Sequence, residues 1–332
     1  MALARAALTF ACGRYDRIWP LVDGRVVPEG LDLNLIFLEP EECFFRMLNN
    51  EEFDAAEMSL GSYAVLRSHG DTRFVGVPVF LSRFFRHSMF YLPPGSAIRE
   101  PKDLEGRRVG VPEYQMTAAV WGRGLLAHEY GVDLGSITWC TGGLEEAGRH
   151  ERQPLSLPDW VRVEPIAAHR TLSQALLDGS IDALMAPRVP ALFRDQASGV
   201  SRLFPDYGRL EREYWERTRL FPIMHLVVVR SDVLREKPWV ALSLYKALVA
   251  AKETALRGLA DLPALRYTMP FLLAALEEQE AAFGPDPWPY GIEANRRVLE
   301  EFSGYLVEQG LIDQALDIEG LFAHSTLALS KV

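Results

Sequence analysis

The chain has 332 residues, 48% of them hydrophobic, and a formal net charge of −10. That is enough apolar material for one large domain or two ordinary ones. The acidic balance argues against general nucleic-acid binding, and no run of about 18 uncharged apolar residues exists to span a membrane. The three cysteines, Cys12, Cys43 and Cys140, form neither a disulfide framework nor a CxxC motif, so buried inert thiols are expected.

The segment Met1 to Cys12 lacks a basic start followed by a sustained apolar stretch. It reads as a first strand and not as an export signal, which leads to an expected cytoplasmic location. Leu31, Leu33, Leu35 and Phe37 share one face of an extended segment. Pro40-Glu41-Glu42 opens a helix with acids in its first turn, where the helix dipole favours them. Ala55 to Met58 is a short strand ending at Ser59 to Ser62, and Phe74 to Phe80 is another.

Two segments read as crossings between lobes, Ser88 to Leu92 and His225 to Val229. Between them lies a compact unit: a strand at Val109, a helix over Thr117 to Tyr130, a helix over Leu172 to Leu177 and a strand at Ile181 to Leu184. After the second crossing, Val240, Leu244, Leu248, Ala251 and Ala255 mark one buried helical stripe. The polar stretch Gly142 to Pro158 reads as a cleft-edge flap or a contact between copies of the chain, so a homo-oligomer is compatible with the pattern.

Alternating strands and helices imply parallel sheets with crossover helices. The expected organisation is a two-lobed α/β fold with two hinge crossings and C-terminal helices. Residues 1–90 plus 225–332 form lobe one, and residues 91–224 form lobe two. The ligand cleft lies between them, beyond the carboxyl ends of the strands.

That rule selects the candidate residues. Arg83 and Arg86 offer planar forks to a carboxylate, His87 can move a proton near neutral pH, and Ser82 can donate a hydrogen bond. The alternative is a hinge strand with polar residues facing outward. Pro112 to Thr117 reads as a strand, a turn and a helix start, an anion-binding geometry to which Glu113, Tyr114, Gln115 and Thr117 add polar groups. Ser59 and Ser62 stand at another strand end. Arg188 either enters the cleft or lies on an exposed loop, and His225 either serves the site or packs beside the core. Arg14 and Asp16 are either ligand contacts or a local ion pair.

The histidines show no metal-ligand spacing, and there is no Walker loop or G-x-S-x-G elbow. Gly122-Arg-Gly124 falls inside a predicted helix and not in the turn before one. No metal or other cofactor is therefore expected.

Cys12-Gly-Arg-Tyr-Asp-Arg17, Ala56-Glu-Met-Ser-Leu60, Ser82 to Ser88, Arg108 to Ala118, Phe221-Pro-Ile-Met-His225 and Trp288-Pro-Tyr-Gly291 together resemble the 4,5-dihydroxyphthalate decarboxylase family, from about Thr9 to Phe322. The resemblance implies a type II periplasmic-binding-protein-like fold and release of carbon dioxide from a small aromatic dicarboxylate to give protocatechuate. A non-catalytic binding protein for an aromatic carboxylate is the alternative. For such a substrate, Arg83, Arg86 and Arg188 are the expected anchors. His87 is the first candidate acid and His225 the second, and Glu113 or Tyr114 would engage the catechol.

Overall fold

The computed structural model describes residues 5–149, 151, 154–260 and 263–331. The chain enters a first sheet through β1 (Ala6–Cys12), β2 (Leu31–Phe37), β3 (Ala55–Ser59) and β4 (Phe74–Arg83). It builds a second from β5 (Phe90–Leu92), β6 (Arg108–Val111), β7 (Thr138–Thr141), β8 (Arg162–Pro165), β9 (Ala183–Met185) and β10 (Ser201–Arg202). It then returns to the first as β11 (Ile223–Arg230). The sheet orders are β2-β1-β3-β11-β4 and β10-β5-β9-β6-β7-β8. Each sheet is mixed: β1, β2 and β3 run parallel, and β11 lies antiparallel between β3 and β4.

The central strands are covered on both faces, which is why β3 and β11 read as near-continuous apolar runs. The amphipathic Val240–Ala260 helix places Val240, Leu244 and Leu248 in the core over the first sheet. The C-terminal Arg296–Glu308 helix packs against the Thr117–Tyr130 helix, with Trp121 edge-on to Tyr305 at 5.5 Å between ring centroids. Among the described residues no helix is long and apolar enough to cross a membrane.

The segments read from sequence as crossings are themselves largely strand. Phe90–Leu92 is already paired in the second sheet, and His225 to Val229 in the first. The chain passes between sheets in the short links before them, and these links are tied together where Phe84 N–H donates to Pro222 O at 3.1 Å. Trp121 Nε1–H donates to Ile223 O at 2.9 Å and fixes the return strand to the second sheet's main helix. In the Gly142 to Pro158 stretch, residues 150, 152 and 153 lie outside the described residues. The remainder carries no helix or strand and lies against Pro112 to Thr117 through Arg149 and Glu151.

Two residues expected in the cleft are instead part of this framework. Arg83 is 4% exposed; it donates to Phe221 O at 3.0 Å and Pro289 O at 2.9 Å, and it also bonds the Asn295 side chain. Its guanidinium clamps β4 to the Trp288–Gly291 turn, because three buried acceptors converge on it. His87 is 2% exposed, with its ring edge-on to Phe204 and Tyr214 at 5.5 and 5.7 Å between centroids. The apolar flank of the crossing link turns it inward. Burial lowers its pKa to about 4, so it is neutral at pH 7.

This packing has a pH signature. The unfolded chain protonates His87 near its ordinary pKa of about 6.5, and the folded chain only near 4. The unfolded state therefore binds more protons between those values. Stability present above pH ~6.5 should fall by up to about 3 kcal/mol as the pH drops toward 4. His87→Phe keeps the aromatic packing and removes this term. Chemical denaturation from pH 7 to 4 should show a shallower loss for the variant; parallel curves would contradict the assignment.

Candidate active site

The site begins with an acidic residue in a central strand. Glu57 of β3 is fully buried, and three donors surround its carboxylate. Gly13 N–H reaches Oε2 at 2.8 Å, Tyr15 O–H reaches Oε1 at 2.5 Å, and His225 Nδ1 lies 2.6 Å from Oε1. Burial alone would raise the Glu57 pKa. The hydrogen bond and charge of His225, then Tyr15 and the Gly13 amide, more than offset it and hold the group below its usual range. Glu57 is therefore ionised, and it fixes His225 through Nδ1.

His225 stands near the start of β11, in register with Ser59 on β3 and Ser82 on β4, where the strand pairing is irregular on both sides of it. Phe44 packs edge-on to its ring at 4.8 Å between centroids. With Nδ1 committed to Glu57, Nε2 is the ring nitrogen left for a ligand. The histidine lines a cavity of about 190 Å³ between the two sheets. That is below the roughly 300–1,000 Å³ of drug-sized sites and suits a single small ring.

The floor of this cavity is formed by two helix starts, one from each side. Ser59 caps the Leu60–Ser68 helix by accepting from Ser62 N–H at 3.3 Å. Its hydroxyl also meets the Thr117 hydroxyl at 2.8 Å, and Thr117 accepts from Gly61 N–H at 2.8 Å. The approach is close: a Cβ at Gly61 would lie 2.8 Å from Gln115 O. Ser62, Thr117 and Ala118 thus present two positive helix ends to the same space.

Arg86 forms one wall. It is 9% exposed, its Nε lies 3.2 Å from Met224 Sδ, and its guanidinium stacks over Phe84 at 4.8 Å. Among the described residues it has no carboxylate in ion-pair contact. Burial lowers its pKa to about 9, which leaves it charged at neutral pH. Glu211 is the nearby acid, but it makes no ion-pair contact; a buried cation without a contacting anion is costly, and a carboxylate ligand would relieve that cost. Phe44, Met116 and Met224 add an apolar lining.

Seven residues nominated by sequence line this cavity: Ser59, Ser62, Arg86, Glu113, Thr117, Arg188 and His225. Besides His225, two of them are already charge-paired. Glu113 accepts from Arg149 Nε at 3.0 Å and also from Nη2. Arg188 sits at the rim and bridges to Glu41 at 2.6 Å and Glu39 at 3.3 Å, which ties the second sheet's loop to the Pro40–Asn50 helix.

Other nominated residues lie elsewhere. Tyr114 is buried, donating to Gln309 O at 3.0 Å under the Arg123 guanidinium, and Gln115 is buried beside it. Arg14 stacks on Phe37 at 5.4 Å and lines a separate outer cavity with Tyr15 and Trp19, while Asp16 pairs with Arg17. Ser82 neighbours His225 in the sheet but is not among the lining residues, and Arg83 and His87 are in the framework. Among the described residues no group of three or more His, Cys, Asp or Glu side chains could hold a metal ion.

The sequence reading missed Glu57. A signal existed: it is the only charged residue in Ala55-Ala-Glu-Met-Ser59, and a carboxylate within a buried strand must be paired.

No family model matches the chain. A curated 4,5-dihydroxyphthalate decarboxylase from Comamonas testosteroni is 39% identical over 330 residues, covering 99% of this chain and all of that protein. One of the same name from Pseudomonas putida is 43% identical over 199 residues, 60% of this chain and 77% of that one. Among solved structures, the aliphatic sulphonate-binding protein SsuA from Escherichia coli aligns with a TM-score of 0.50 at 14% identity, covering 97% of this chain and 93% of that one. The sulfonate-binding protein SsuA from Methylobacillus flagellatus aligns with 0.50 at 12% identity, covering 96% and 91%. These structures establish a periplasmic-binding-protein-like fold. Near-complete coverage at 39% identity establishes more: the chain belongs to the 4,5-dihydroxyphthalate decarboxylase family.

Proposed function

We propose that this chain removes one carboxylate from 4,5-dihydroxyphthalate, giving protocatechuate and carbon dioxide. The observation that carries the reading is the pairing of an oriented histidine with a buried arginine that no carboxylate contacts directly, across one small cavity. A protein that only bound an aromatic acid would use the arginine, but it would have no need for a buried carboxylate aligning an imidazole.

The reaction balances with a proton alone: the dianionic substrate and one proton become the monoanionic product and carbon dioxide. Direct loss of carbon dioxide would leave an aryl carbanion. Protonation of the carbon bearing the departing carboxylate avoids it, with electron density supplied by the hydroxyl para to that carbon. The hydroxyl loses its proton, a dienone forms, and cleavage of the carbon–carbon bond restores the aromatic ring.

In this reading His225 Nε2 delivers the proton, and Glu57 stabilises the imidazolium before transfer. Arg86 and the two helix starts grip the retained carboxylate. Gripping the departing one equally would stabilise the ground state and slow the reaction. That group instead faces Phe44, Met116 and Met224, where a charge is poorly solvated and neutral carbon dioxide is not. Glu113, neutralised by Arg149, accepts from the para hydroxyl. Residues 1–90 with 225–332, and residues 91–224, act as lobes that close on the ring.

Purified protein incubated with 4,5-dihydroxyphthalate should release carbon dioxide and protocatechuate in equal amounts; tight binding without release would overturn the reading in favour of a binding protein. His225→Gln should hold substrate affinity within a few-fold while lowering kcat about a hundredfold or more. Undiminished turnover would exclude His225 as the acid.

Arg86→Met preserves bulk and removes the charge. It should weaken binding of phthalate-type dianions about ten- to a hundredfold, as expected for a lost charged hydrogen-bond partner, and leave neutral catechols nearly unaffected. Calorimetric titration with both ligand types measures this, and equal losses would mean that Arg86 is structural.

A further inference from the structure

The Gly13–Arg17 turn supplies two of the three donors that surround Glu57. Tyr15 N–H bonds back to Gly13 O at 3.0 Å, which folds the residue over its own backbone. A Cβ at Gly13 would sit 3.0 Å from the Tyr15 ring, so a larger residue there would crowd the fold-back. Arg17 locks the arrangement, with its guanidinium stacked 4.3 Å from both the Tyr15 and Trp288 rings. Burial and the nearby Glu57 charge push the Tyr15 pKa far up, so its hydroxyl acts as a donor only.

The two thiols beside this carboxylate are uncharged. The Cys12 and Cys43 thiols are pushed up by burial and by Glu57, and Phe44 faces His225. Arg17 is the charged residue beside Tyr15.

A buried carboxylate and an imidazole that share one proton have two arrangements with the same proton count. In one, a carboxylate faces an imidazolium; in the other, a carboxylic acid faces a neutral ring. Desolvation favours the neutral pair, and hydrogen-bond donors to the carboxylate favour the ionic one. Gly13 N–H and Tyr15 O–H are the donors that do not come from His225.

We propose that Tyr15 is a positioning residue for His225, and that its hydroxyl keeps the proton shared with Glu57 on the imidazole. This rests on the reading of His225 as the acid. It gives the Gly13-Arg-Tyr15 sequence a task distinct from ligand contact: Tyr15 touches no reacting atom, and it sets how much of the pair stands ready as imidazolium.

The test is nitrogen-15 NMR of the histidine rings in the full-length, ligand-free protein, with His225 assigned by its disappearance in His225→Gln. In the wild type the protonated ring should show imidazolium signals at both nitrogens. In Tyr15→Phe those signals should move toward neutral-ring values, and the pair should hold its proton to a higher pH, because Glu57 has lost a donor and become more basic. Placing 3-fluorotyrosine at position 15, a stronger donor, should move both observations the opposite way, which a merely structural role would not do. With the substrate above, Tyr15→Phe should lower kcat roughly ten- to a hundredfold and change KM by no more than a few-fold. Identical ring signals in all three proteins would overturn the proposal. The ring signals answer the question even if the wild type released no carbon dioxide, so the two readings fail separately.

Discussion

A charged carboxylate inside a central strand is the constraint around which this molecule is arranged. Glu57 has no access to solvent, so an ionised side chain there must find all of its solvation in the protein. It finds it in three places: the amide of Gly13 just beyond β1, the hydroxyl of Tyr15, and the imidazole of His225 on the returning strand β11. These partners come from positions 13, 15 and 225, so the carboxylate joins the first strand, the third and the last. Without β11 inserted antiparallel between β3 and β4, the imidazole could not reach it.

The sheet topology turns this local demand into a site. Because β11 runs against its neighbours, its first residues stand at the carboxyl ends of β3 and β4, where open α/β sheets place their ligands. The opposing wall comes from the second sheet, whose Thr117–Tyr130 helix starts against the Leu60–Ser68 helix through the Ser59–Thr117 contact. Arg86, carried on the link out of β4, is left buried with Glu211 nearby but with no carboxylate in ion-pair contact among the described residues. One element thus holds an oriented imidazole and another a buried cation, and both line one small cavity. Fold alone does not separate catalysis from binding; in the proposed function this pairing of chemistries is what favours catalysis.

Much of the framework was legible in the residue pattern. The spacing of Val240, Leu244 and Leu248 marked the long helix, the Thr117 to Tyr130 helix runs over the same residues, and the interrupted strand pattern gave two sheets. Side-chain direction was not legible. In Ser82 to Ser88 three cationic or titratable residues lie within five positions, but the chain leaves β4 at Arg83 and twists through a link. Arg83 and His87 therefore enter opposite parts of the core while Arg86 alone reaches the cavity. No periodicity rule covers such a link. Tyr114 and Gln115 turn inward for the same reason, since the turn before a helix has no fixed face. Glu57 escapes the rule that places ligands at strand ends, because its importance comes from lying within a strand, where a lone acid is expensive.

The central claim is that Glu57 acts through His225, and a double-mutant cycle tests it most directly. Glu57→Gln, His225→Gln and the double variant should be compared by kcat for decarboxylation, with folding checked for each. If the carboxylate serves only to orient and charge the imidazole, the double variant should be no slower than His225→Gln alone, within about twofold, because nothing remains for Glu57 to act on. Losses that simply multiply would show two independent contributions and contradict the account.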